Sequence, residues 1–248
     1  RRFHRHGQPV HHHLGVSAFA QFTVAAEESL IKIDPDIPFD VAAVFGCAVM
    51  TGVGAVVNTA RVEPGSSVAV FGLGGVGLAA VMGAVAAGAY PVVAVDVLPD
   101  KLERARALGA THTVNARDVD AVEAVRDLTG GGVDYAIEAA GNADVLAQAY
   151  RATRRGGTTV AVGLPHPAAM LSIPAVTVTA EERVIRGSYM GSAVPRRDLP
   201  RFLRLFRAGR LPVDRLITHR LGLEEINQGF DRLAAGEAVR QLVLPDAD

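Results

Sequence analysis

Gly72, Gly74 and Gly77 punctuate the stretch FGLGGVG, with Gly75 and Val76 between them. An apolar run, Ser67-Val68-Ala69-Val70, precedes it, and a run of small residues from Leu78 to Gly88 follows. Gly72 lets the chain turn sharply off a strand. Gly74 lets backbone come close to a ligand, and Gly77 lets a helix pack tightly on that strand. The first helical turn then presents unpaired N–H groups and the positive end of its dipole, a cradle for a pyrophosphate. Glycine turns before helices also arise from packing alone. The next strand, Val92-Val93-Ala94-Val95, ends in Asp96, nineteen residues after Gly77, close to the ~20 expected for an acid that holds adenosine ribose hydroxyls. Strand, glycines, helix, strand and acid together spell dinucleotide binding. Cys47, the one cysteine, is open to two readings: a metal ligand or an inert buried thiol. His11, His12 and His13 could be a tag remnant or a metal site, but three consecutive histidines cannot all face one ion on regular structure, and a loop-and-strand reading fits them.

The elements that must position these groups follow from periodicity. Strands are predicted at 67–71, 92–96, 111–114, 133–137 and 158–162, separated by helices at 75–88, 99–108, 119–128 and 142–152. Alternation of that kind gives a doubly wound parallel Rossmann sheet with helices on both faces. Before it, Phe19 to Val24 and Leu30 to Ile33 read as strands, and Phe39 to Val57 as two helices with a break near Gly46-Cys47. After it, residues 164–182 read as loop with short strands and Val184 to Met190 as a further strand. Leu199, Phe202, Leu203 and Phe206 then mark one amphipathic helix. Leu223, Ile226, Phe230 and Leu233 mark a second, and Arg240 to Leu244 a last strand.

The chain of 248 residues carries a net charge of −1 with 49% hydrophobic residues, which gives no electrostatic bias toward nucleic acid or an anionic membrane. No run of ~18 apolar residues reads as a membrane span. A single cysteine excludes an internal disulfide framework and fits a reducing, cytoplasmic compartment. Residue 1 is Arg rather than Met, and the sequence is read as a piece of a longer chain.

The whole run of motifs resembles the coenzyme-binding half of the zinc-containing medium-chain alcohol dehydrogenases. The match rests on VHHHLGVSAFAQFTV near the start, GCAVMTG at 46–52, GLGGVGL at 72–78 and VDVLPDKLERARALGAT at 95–111. It continues through GGVDYAIEAAGN at 131–142, VAVGLP at 160–165, IRGSYMG at 185–191, ITHRLGLEEINQGFDRLAAGE at 217–237 and VRQL at 239–242. The resemblance implies NAD and zinc as cofactors. It makes Cys47 a ligand of catalytic zinc and Thr51 and Val76 neighbours of the nicotinamide. Asp96 and Lys101 become the adenosine-ribose pair, and Ala139, Ala140 and Asn142 contacts along the riboses. Val162, Leu164 and Ser188 become backbone partners of the carboxamide. Arg240 becomes a pyrophosphate contact, against the alternative of a solvated strand-end arginine.

The resemblance also implies a division into residues 1–48, a remnant of a mainly-β, GroES-like catalytic domain; 49–191, the NAD-binding domain; and 192–248, a return to the catalytic domain. Such enzymes use two Cys and one His on catalytic zinc, so this chain is expected to lack the other ligands, to hold no catalytic zinc and to turn over no alcohol by itself. The intact protein is expected to interconvert alcohols and aldehydes or ketones by hydride transfer and to form a homodimer or higher homo-oligomer through the strand at 184–190. Two alternatives are a zinc-free quinone or enoyl reductase and a non-catalytic nucleotide-binding module. NAD is expected over NADP, because Asp96 repels a 2′-phosphate and Val97 and Leu98 supply no arginine.

Overall fold

A computed structural model describes residues 3–11 and 18–245. Arg1, His12 and His13 lie outside the described residues, and with them most of the histidine run and part of the motif that contains it. The chain divides into two compact units, Arg1–Ala43 with Ile217–Asp248, and Val44–Leu216. The boundaries expected at residues 48 and 191 do not coincide with this division.

In the smaller unit, β1 (Phe3–Arg5) and β2 (Gln8–Val10) form an antiparallel hairpin across a turn in which His6 and Gly7 both have positive φ, the conformation two-residue hairpins require. The expected strands at 19–24 and 30–33 do not form: that stretch is irregular apart from a single turn at Glu27–Ser29. Phe22 is 89% exposed, and no described strand runs alongside to complete a ladder. Alternation without a pairing partner does not make a strand.

Phe39–Ala60 is one continuous helix, α1, rather than two. At Gly46-Cys47 it does not break; it widens into π turns at Phe45–Val49 and again at Ala55–Ala60. By length and composition α1 could cross a membrane, but 67% of its most apolar window is buried inside the protein, as befits a core helix.

The larger unit is built on β3 (Val68–Phe71), α2 (Gly75–Ala86), β4 (Val92–Asp96), α3 (Pro99–Ala107), β5 (His112–Asn115), α4 (Ala121–Leu128), β6 (Val133–Glu138), α5 (Ala143–Ala152) and β7 (Thr153–Ala161). Residues 164–182 hold a short helix, α6 (Ala175–Ala180), and no strand. β8 spans only Val184–Gly187, because Met190, Gly191 and Ser192 take positive φ and turn the chain away. α7 (Pro195–Arg207) opens on a proline and carries the first of the two expected apolar stripes. In the smaller unit β9 (Ile217–Gly222) pairs in parallel with β10 (Arg240–Leu244), and α8 (Ile226–Ala234) carries the second stripe.

The sheet of the larger unit has six parallel strands in the order β5-β4-β3-β6-β7-β8. The order reverses between β3 and β6, so a crevice opens beyond their carboxyl ends, where open α/β sheets bind ligands. Every residue of β3 is buried, and so are Val92 to Val95 on β4, as strands covered on both faces must be. α2 is apolar nearly all round because it lies between the sheet and α1. A Cβ on Gly52 of α1 would stand 2.3 Å from the Val76 carbonyl oxygen, and one on Gly83 of α2 3.1 Å from the Val53 Cα. Glycine sets the separation of these helices.

Candidate coenzyme site

A cavity of about 360 Å³ opens at the carboxyl ends of β3 to β6, and its wall includes Gly72, Gly74, Asp96, Lys101, Ala139 and Ala140. The structure thus brings together the glycine turn, the acid after β4 and the loop after β6, which lie far apart in sequence. Leu98, Ala116 and Val145 complete an apolar flank that sequence reasoning missed; nothing in their spacing marks them.

The glycines of the turn are not equivalent. Gly72 has φ +88, and a Cβ there would stand 2.7 Å from the Ala140 nitrogen. At Gly77 a Cβ would overlap the Gly72 carbonyl oxygen, 1.8 Å away. Both must be glycine for the fold alone. Gly74 differs: its φ is −70 and a Cβ would meet nothing within 4 Å. Neither backbone conformation nor packing requires glycine there, yet it caps α2 at the mouth of the cavity. Its missing side chain leaves the N–H groups of the first turn, from Gly75 onward, open to an approaching anion.

Asp96 ends β4 with its carboxylate already engaged. Oδ2 accepts the Leu73 N–H at 2.6 Å, and Oδ1 accepts those of Val97 and Leu98 at 2.8 and 3.0 Å. The acid ties the glycine turn to the next strand. A carboxylate offers about four acceptor positions, so capacity remains for a ribose hydroxyl.

Glu138, at the end of β6, is the residue sequence reasoning missed most clearly. It is 1% exposed. Its Oε1 accepts the N–H groups of Ala140 and Gly141 at 2.7 and 2.6 Å, with that of Asn142 at 3.4 Å. Burial raises its carboxyl above the usual range, against the opposing pull of these N–H groups and that of Gly163. The signal was present: an acid closing a buried strand just before the small-residue turn AAGN. Asn142 caps α5, accepting from the Asp144 and Val145 N–H groups at 2.8 and 3.3 Å; a capping role accounts for it without a ligand. A Cβ on Gly163 would stand 2.1 Å from the Gly141 nitrogen, and Gly141 faces the Leu164 backbone. The loops after β6 and β7 therefore lie against each other, bringing Ala139 to Asn142 beside Val162 to Leu164.

The remaining sequence-assigned residues do not line this cavity. Thr51 is buried, and its hydroxyl donates to the Met190 sulfur at 3.7 Å. Val76 lies on the first turn of α2, against Gly52, the residue after Thr51. Val162 is buried, Leu164 exposed and Ser188 buried, with the Ser188 hydroxyl 2.7 Å from that of Thr59. Asn58 donates to the Gly191 carbonyl at 3.3 Å and to buried Asp198 at 3.2 Å. These bonds pin the turn after β8 to α1, fixing the neighbourhood of Thr51 and Ser188. Arg240 opens β10 in the smaller unit.

Cys47 lies on the first π turn of α1 and is exposed, so the reading of it as an inert buried thiol is corrected. Among the described residues no group of three His, Cys, Asp or Glu side chains could hold a metal ion. One thiolate does not fit zinc, which takes at least three protein ligands.

Residues 75–208 match the family of zinc-binding dehydrogenases. The chain is 39% identical over 245 residues to Alcohol dehydrogenase 1 of Cenchrus americanus, covering 98% of this chain and 64% of that protein. It superposes with a TM-score of 0.91 and 39% identity on the crystal structure of an alcohol dehydrogenase zinc-binding domain protein from Burkholderia ambifaria, over 96% of this chain and 64% of the other. Benzyl alcohol dehydrogenase from Acinetobacter calcoaceticus gives a TM-score of 0.83 at 32% identity, over 86% of this chain and 59% of the other. The chain thus spans a little under two thirds of the first two relatives' length. On the family match, the parallel sheet and the glycine turn at its switch point, this chain belongs to the zinc-binding dehydrogenase family.

Proposed function

We propose that this chain is the NAD-binding part of an oxidoreductase that interconverts alcohols with aldehydes or ketones. The observation that carries the coenzyme reading is Gly74, a glycine of the turn that neither conformation nor packing demands and that faces the cavity. When bound, the coenzyme supplies the hydride acceptor. The work of the chain's own residues is to bind and orient it. The open N–H groups at the start of α2 hold negative charge, and Asp96 accepts from ribose hydroxyls while Lys101 lines the same wall. Ala139 and Ala140 keep the far wall low, and Thr51, Val76 and Ser188 shape the second region, beside α1. The alcohol chemistry rests on the relatives named above. Cys47 alone does not complete a zinc site.

Preference for NAD over NADP tests the reading. A like-charge contact between Asp96 and a 2′-phosphate costs several kcal/mol, and roughly 3 kcal/mol is about a hundredfold in affinity. Fluorescence titration with NADH and NADPH should show that gap, and Asp96→Ser combined with Val97→Arg should narrow it. Equal affinities in the unaltered chain would sink the assignment.

Assembly and location complete the proposal. β8 lies at the sheet edge with Val184 and Ile185 37% and 38% exposed. An apolar edge strand is a liability that pairing removes, and a two-fold axis makes such pairing self-complementary. A homodimer through β8 follows, and light scattering that finds a monomer at micromolar concentration would reject it. A cytoplasmic location is supported by the exposed, unpaired thiol of Cys47.

A further inference from the structure

At the end of the sheet opposite the coenzyme cavity, where β6, β7 and β8 begin, a second cavity of about 360 Å³ is walled by Arg126, Arg154, Arg155, Glu181, Arg183 and the glycine run 130–132. Nothing in the proposed function uses these residues, and their charges do not cancel. Arg154 is paired with Asp134 at 2.7 Å and Arg183 with Glu181 at 2.6 Å. Neither Arg126 nor Arg155 has an ion-pair partner among the described residues. Arg126 donates only to the Arg151 carbonyl, at 3.3 Å. Two guanidinium charges thus stand uncompensated around one concavity, in a chain whose net charge is −1. The carboxyl end of α4 adds about half a negative charge nearby, too little to offset them.

Arg183 supplies an independent observation. Its side chain is only 6% exposed. It donates to the Tyr150 carbonyl and lies 5.1 Å from the Tyr150 ring centroid. Its Nε is buried without a hydrogen-bond partner, and so is the Glu181 Oε2 that its Nη2 approaches to 2.6 Å. The glycine run leaves the mouth open, since a Cβ on Gly130 or Gly131 would meet nothing within 4 Å.

We infer that this cavity is an anion site that takes a phosphate group. A phosphate carries about −1.5 to −2 near neutral pH, which matches the two uncompensated charges. Its oxygens can be shared among several guanidinium forks, the geometry arginine suits best. The cavity falls at the small end of the range for ligand sites, about 300–1,000 Å³. The source could be free phosphate or a diphosphate-bearing molecule; the chemistry recognised is the same.

Calorimetric titration of phosphate, then pyrophosphate, into the full 248-residue chain tests this at low salt, with and without NAD at saturation, because the glycine turn also attracts phosphate. The expected result is one anion per chain when NAD occupies the glycine turn, so that this site is counted alone. Binding should weaken about tenfold or more in the double variant Arg126→Gln, Arg155→Gln, the loss expected for charge-assisted hydrogen bonds. Both side chains are exposed, so the variant should keep its circular dichroism; if it does not, Arg155→Lys, which keeps the charge and loses the fork, should weaken binding by itself. Tighter binding of pyrophosphate points to a diphosphate ligand, and equal binding to a single phosphoryl group. No binding at millimolar anion, binding abolished by NAD, or unchanged affinity in the variants overturns the inference. So does a double variant that changes the oligomeric state while the unaltered chain binds no anion, which would give these arginines to a second copy.

Discussion

Replacing Glu138 by glutamine separates two effects that oppose each other at one buried atom. The side chain is 1% exposed, and Oε1 takes two short bonds, at 2.7 and 2.6 Å, from Ala140 and Gly141. An amide oxygen can keep both, but where Glu138 is ionised each loses its charge assistance, about 1 kcal/mol per bond and about 2 kcal/mol together. Against this, burial raises the Glu138 carboxyl above its ordinary value, so ionisation itself is unfavourable in the folded chain, and glutamine escapes that cost. The sign follows from linkage. With the folded pKa above the unfolded one, the stability this group contributes is fully present below the unfolded value, about 4.3. It is lost as pH rises through the folded value. The advantage of the unaltered chain over Glu138→Gln should therefore shrink as pH rises above about 4.3. Glu138→Ala strands both donors and should cost about 2–6 kcal/mol throughout. The chain has no tryptophan, so urea midpoints are best followed by circular dichroism. A difference that is flat or grows with pH, or an alanine variant as stable as the glutamine one, would refute the reasoning.

Gly77→Ala should be destabilising by about 3 kcal/mol, because its Cβ falls 1.8 Å from the Gly72 oxygen. Gly74→Ala should leave the urea midpoint unchanged while weakening NADH binding, and similar midpoints for the two variants would contradict this distinction. Asp198 is fully buried and accepts from Asn58 and from the Val194 N–H at 2.8 Å. The hydrogen bond from Arg197 holds its carboxyl below the ordinary range. Its contribution is present above the unfolded pKa, about 3.9, and lost as pH falls through the lower folded value. Asp198→Ala should cost about 1–2 kcal/mol near neutrality, and a loss that persists undiminished in strong acid would count against this.

The βα units were legible because strands buried on both faces read as unbroken apolar runs. Val92 to Val95 and Val68 to Phe71 show this, each followed by a turn residue that announces the next helix. The glycine turn and Asp96 were legible for the same reason: spacing along adjacent parallel strands becomes proximity at their ends. The strands expected at 19–24 and 30–33 failed where a property of pairs was inferred from one segment. The π turns at Phe45–Val49 and Ala55–Ala60 leave no compositional mark, since Gly46-Cys47 looks like a break and is only a widening. Glu138 went unnoticed because its role depends on N–H groups of a turn whose shape no periodicity describes. Asn142 was assigned through resemblance to a ribose, while its side chain is already engaged in capping a helix.

The engagement of Asp96 by Leu73, Val97 and Leu98 bears on any attempt to re-engineer coenzyme choice. The same carboxylate that would discriminate between coenzymes also fastens two crossover turns, so selectivity and rigidity are written in one side chain. A substitution chosen to admit a 2′-phosphate removes an acceptor from three N–H groups at once. Screening by activity alone would then read a loosened turn as a failed specificity change. A successful redesign must supply a replacement acceptor along with the new cation, and its variants should be ranked by unfolding midpoint before they are ranked by turnover.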